Sequence, residues 1–135
     1  MIRRLVVGAL VVLTTATLFT TPALAGRSPS NSGGGGSLVL VSPRSGTPVF
    51  GDTITFDVST SAAQPFVRLQ CYQNGKLGYA ETNGFYSGYP WDTNYQLGPT
   101  NVWTGGAASC TADLFVSSRK GTSTLASITF SVAGS

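Results

Sequence analysis

GGAASCTADLFV, residues 105–116, opens on a glycine turn and continues in small and β-branched residues. At a period of two, Cys110, Ala112, Leu114 and Val116 share one face, and Ser109, Thr111, Asp113 and Phe115 the other. An apolar face backed by a mostly polar one is the pattern of a half-buried strand, here carrying a cysteine on its buried side. Such a strand needs neighbours to pair with and a second sheet to pack on, and the flanking sequence is read for them.

After it, Ser117–Thr122 reads as a polar hairpin loop. Leu125–Val132 follows as a strand sending Ala126, Ile128, Phe130 and Val132 inward. Before it, Val102-Trp103 returns apolar mass to the core, Pro99–Asn101 is a turn, and Tyr95 with Leu97 suggests a short strand. Thr82–Asp92, TNGFYSGYPWD, breaks every period and reads as a long loop.

Upstream, Phe66–Gln73 alternates Val67, Leu69 and Cys71 against Phe66, Arg68, Gln70 and Tyr72, then reaches Asn74-Gly75, a strong two-residue hairpin signal. Counting back from that turn pairs Tyr72 with Leu77, Cys71 with Gly78, Gln70 with Tyr79 and Arg68 with Glu81. Thr53–Ser59 alternates with Ile54, Phe56 and Val58 inward, and Leu38–Ser42 is a short apolar strand ended by Pro43.

About seven short strands with no helical period argue for an all-β, two-sheet antiparallel sandwich over residues 38–135, a small barrel being the alternative.

The prefix has its own logic. Met1–Ala25 holds Arg3-Arg4, an apolar run from Leu5 to about Phe19, Pro22 and Ala23-Leu24-Ala25, the form of an export signal with a peptidase site. Its threonine-interrupted run is shorter than the roughly 20 residues a bilayer requires, so residues 1–25 are expected to be a cleaved signal helix, with no stable membrane insertion afterwards. Residues 26–37, GRSPSNSGGGGS, read as a flexible Gly/Ser-rich tether of about 19 Å mean span. The expected product is secreted and extracellular.

Charged residues make up only 10% of the chain, against roughly 25% in an average soluble domain. Without Arg3 and Arg4, six basic residues face five acidic ones. No basic stripe exists, so nucleic acid is not an expected partner.

Cys71 and Cys110 are the two cysteines, both on inward faces of expected strands. In an exported chain they read as one disulfide. There is no histidine, so a Ser-His-Asp or Cys-His arrangement is impossible, and two cysteines alone do not complete a zinc site. Asp52, Asp57, Glu81, Asp92 and Asp113 share no spacing that demands proximity. Neither enzyme activity, nor a cofactor, nor a metal is expected.

QCYQNGKLGYAE, a tryptophan shortly before GGAASCTADLFV, and a later strand opening LASITF resemble the small immunoglobulin-like domains of secreted actinobacterial proteins and of phages that infect those bacteria. The resemblance spans Leu38 to Ala133 and implies a scaffold, not an activity. Cys71 falls on the third expected strand and Ala108 stands where a tyrosine corner would place Tyr, which leaves open whether the bridge joins adjacent strands or the two sheets.

Functional content is concentrated in Phe85, Tyr86, Tyr89, Trp91 and Tyr95, five aromatics in or beside the long loop. They read either as a platform for sugar rings or a protein partner, or as a cap on the open end of the sandwich. Phe66, Tyr72, Leu77 and Tyr79 on the outer hairpin face are a candidate interface, with weak homodimerisation through it as one outcome. The expected function is a secreted noncatalytic interaction or structural module, adhesion-like. The alternatives are a carbohydrate-binding module using the loop aromatics and a secreted inhibitor or effector.

Overall fold

The computed structural model describes residues 30–33 and 35–135. The expected signal, residues 1–25, lies outside them, as do 26–29 and 34 of the expected tether. Eight strands run in chain order: β1 Ser30–Gly33, β2 Gly36–Val41, β3 Thr53–Ser59, β4 Phe66–Gln73, β5 Lys76–Gly84, β6 Tyr95–Gln96, β7 Ala108–Ser118 and β8 Gly121–Val132. They form two antiparallel sheets, ordered β1-β2-β3-β6 and β5-β4-β7-β8. No helix occurs among the described residues.

Where two-residue periodicity is clean, strands and faces follow it. β3 and β4 have the expected bounds. Cys110, Ala112 and Leu114 on β7, and Ala126, Ile128, Phe130 and Val132 on β8, are buried. Val116 is half-buried, because β7 runs on past the core into a hairpin turned tightly at Arg119-Lys120, with Ser118 paired to Gly121. Part of the expected tether is strand: β1 pairs with β2 from Ser30↔Val39 to Gly33↔Gly36.

Cys71 and Cys110 are direct partners in the β4–β7 ladder, with Cα atoms 4.0 Å apart, and are joined by a disulfide. The bridge therefore staples neighbouring strands of one sheet. Across the sandwich, the Tyr95 hydroxyl on β6 donates to the Val67 carbonyl on β4 at 2.8 Å, tying the two sheets through the core.

A second tie between the sheets lies in the segment that links β2 to β3, where Val49 bridges in parallel to Ala133 beyond β8, with Phe50 N–H on the Ala133 carbonyl and Ala133 N–H on the Pro48 carbonyl, both 2.8 Å. Asp52 holds that crossing segment in place. Its carboxylate accepts from Arg44 Nε at 2.6 Å and from the Val49 N–H at 2.9 Å.

The β4–β5 register departs from the simple count. Tyr72 pairs with Leu77 as expected, but Cys71 then pairs with Tyr79, Leu69 with Glu81 and Arg68 with Thr82. Gly78 is the extra residue of a β-bulge. Two contacts account for it. A Cβ on Gly78 would stand 3.0 Å from Trp103 Cβ, so glycine gives the indole room. The Gly78 carbonyl accepts the Thr100 hydroxyl at 2.6 Å.

Beyond the bulge every β5 side chain changes face, because partners in a ladder point the same way. Tyr79, Glu81 and Asn83 thus share the inner face with Cys71, Leu69 and Val67. Arg68, expected opposite Glu81, pairs instead across β7 with Asp113 at 3.4 Å.

Candidate functional site

β5 and β6 are the edge strands of their sheets on the same side of the sandwich, and the 85–94 segment connects them. Between them opens a cleft of about 680 Å³. It is lined by Glu81, Thr82 and Asn83 of β5, Tyr89, Trp91, Asp92 and Asn94 of the connection, Gln96 of β6 and Thr53 of β3. The register shift at Gly78 supplies two of its walls, by turning Glu81 and Asn83 inward at the place where the opposite sheet ends.

These two side chains are held by one another and by tyrosines. The Tyr79 hydroxyl donates to one Glu81 oxygen, and Asn83 Nδ2 donates to the other at 3.1 Å. Asn83 Oδ1 accepts from the Tyr89 hydroxyl, and its amide reaches the Asn94 carbonyl, both at 3.4 Å. Burial first, and then the Glu81 carboxylate, push the Tyr79 phenol well above its ordinary value, so it stays a proton donor. Asp92 Oδ1 accepts the Asn94 N–H at 2.7 Å, which shapes the return into β6. The polar wall is preorganised before any ligand arrives.

The five loop aromatics separate. Tyr95 is fully enclosed, with its hydroxyl committed to Val67, and belongs to the core. It is therefore no contact for a ligand. Phe85 is half-buried and stacks on Tyr95 at 6.5 Å between centroids and 10° between planes. Tyr86 and Tyr89 fold over the edge of β5 onto Phe66, at 5.6 and 6.4 Å. The opening they use is Gly84, where a Cβ would lie 2.6 and 2.5 Å from their rings.

Trp91 alone stays open. It is 70% exposed and rests edge-to-face on Tyr89 at 5.3 Å, beside the polar wall.

The candidate outer interface is divided likewise. Phe66 lies under Tyr86, Tyr89 and Phe115, and Tyr79 is on the inner face, so Tyr72 and Leu77 remain of the four expected residues.

Glu81, Asn83, Asp92, Asn94, Gln96 and Thr53 were not expected at a site. The one signal for the first two is Gly78 itself, since an isolated glycine inside a strand pattern suggests a bulge. Among the described residues no group of three or more potential metal ligands comes together, and no helix is long and apolar enough to cross a membrane. No protein-family model, curated protein or solved structure matches the chain.

Proposed function

We propose that this chain is an extracellular, noncatalytic, immunoglobulin-like module that binds a glycan in the cleft between β5 and β6. The strand order supports the immunoglobulin-like reading: β2, β3 and β6 stand as A, B and E of one sheet, and β5-β4-β7-β8 as C′-C-F-G of the other. The parallel bridge of Val49 to Ala133, where the chain crosses between sheets ahead of B, agrees with it. The disulfide and the export-signal pattern of residues 1–25 support delivery outside the cell.

One observation carries the ligand class: Trp91, an indole 70% exposed and steadied by Tyr89, on the lip of a cleft walled by fixed amides and carboxylates. A flat apolar face beside convergent hydrogen-bonding groups matches a sugar ring, which presents C–H bonds on its faces and hydroxyls at its edge.

The test is a glycan array probed with the secreted protein and with Trp91→Ala. Saturable binding by the wild type that the variant loses, at unchanged thermal stability, is the expected result. Binding that survives the substitution moves the site elsewhere, and an array with no binder at all returns the chain to the adhesion-like reading.

A further inference from the structure

We propose that the cleft selects sugars carrying free amino groups, an inference that rests on the glycan reading above and narrows it. Two observations lead there. First, the charged side chains lining the cleft are Glu81 and Asp92, both acidic, and no lysine or arginine lines it. An anionic sugar would lose its hydration and meet only negative charge, whereas an ammonium gains carboxylate partners.

Second, the aromatic side chains lining the same cleft are Tyr89 and Trp91, and an ammonium over an indole or phenol face is attracted by the ring quadrupole. Carboxylates and electron-rich rings together are the chemistry that recognises a cation. Bulk electrostatics do not explain such a preference, because the secreted form, without Arg3 and Arg4, carries six basic residues against five acidic ones, a net +1, and draws no polycation at long range. The selectivity is local to the cleft.

An amino sugar fits better than a lysine side chain because the rest of the lining consists of uncharged hydrogen-bonding groups. Thr53, Thr82, Asn94 and Gln96 match hydroxyls around a ring, and an aliphatic stem offers them nothing.

The experiment is calorimetric titration of the secreted protein with four probes: a β-1,4-linked glucosamine hexasaccharide, its fully N-acetylated counterpart, a glucuronate-containing oligosaccharide of similar length, and tetralysine. The free-amine oligomer is expected to bind about tenfold tighter than the acetylated one, with the uronate weakest. Raising salt from about 0.05 to 0.5 M shrinks that gap by screening the carboxylates.

Asp92→Asn retains an oxygen for the Asn94 N–H and removes the charge. It is expected to cut the amine preference severalfold while leaving the acetylated oligomer's affinity nearly unchanged. Equal or tighter binding of the acetylated oligomer overturns the selectivity and leaves the glycan reading standing. An amine preference unmoved in both Asp92→Asn and Glu81→Gln overturns the assignment of that selectivity to the cleft carboxylates. Tetralysine binding as tightly as the amino sugar shows that the cleft reads charge alone and overturns the proposal. Failure of every oligosaccharide probe to bind overturns the amino-sugar proposal, and the glycan reading falls with it only where the array also shows no binder.

Discussion

Asp52 shows how much of this domain hangs on single polar contacts. The side chain is only 8% exposed, and a bare carboxylate there would be costly. The hydrogen bond from Arg44 is the main influence holding its pKa below the ordinary 3.8; the Val49 N–H and the Arg44 charge act the same way, and burial opposes them. A carboxyl with a depressed folded-state pKa contributes stability that is present above the unfolded value and lost as pH falls through the folded one. The expected outcome is that wild type and Asp52→Asn differ in denaturation midpoint at neutral pH, and that the difference closes progressively below about pH 3.8. Urea unfolding followed from pH 6 down to 2 measures it, and a gap that stays constant would remove the carboxylate from the account. Trp91 is the opposite kind of residue: truncation of so exposed a side chain should change stability by about 0.5 kcal/mol or less, leaving binding as its visible role.

At the scale of elements, β5 is one strand with two faces in succession. Up to Leu77 it follows the Asn74-Gly75 turn, whose two residues have φ of 51° and 76°, the left-handed pair of a type I′ hairpin. After Gly78 it obeys Trp103 and Thr100, and the cleft is the product of that change. Gly84 then lets the next segment fold back across the strand edge. Gly84→Leu is expected to drive Tyr86 and Tyr89 off Phe66, costing about 1–3 kcal/mol of stability as an overpacking substitution does. It should also weaken glycan binding, since Trp91 leans on Tyr89. Denaturant unfolding and titration of the same variant check the two effects. A variant as stable as wild type with full affinity would show that the aromatic fold-back supports nothing.

For the whole molecule, the disulfide closes a loop of 39 residues between strands already paired in the ladder. In the chain-entropy view it stabilises by about 4 kcal/mol, through the unfolded state more than the folded one. The double substitution Cys71→Ala, Cys110→Ala should therefore lower unfolding free energy by roughly that amount while keeping the sheet order. Equilibrium unfolding with far-ultraviolet circular dichroism reads both, and a loss well under 1 kcal/mol would indicate a strongly structured denatured chain. What the sequence by itself determined here rests on near neighbours, as in the alternation over β3, β4, β7 and β8 and the Asn74-Gly75 turn, or on composition, since two cysteines allow one disulfide. What only the tertiary structure decided is what depends on contacts from distant parts of the chain. Glu81 and Asn83 face the cleft because Thr100, 22 residues from Gly78 in sequence, and the Trp103 ring stabilise a bulge. Tyr95 is core while Trp91 is surface because β6 begins at Tyr95, which pairs with Ile54, and Trp91 lies in the connection ahead of it. Alternation passes along a strand only while its ladder is unbroken, and where one residue is inserted, packing against another part of the chain sets which face follows.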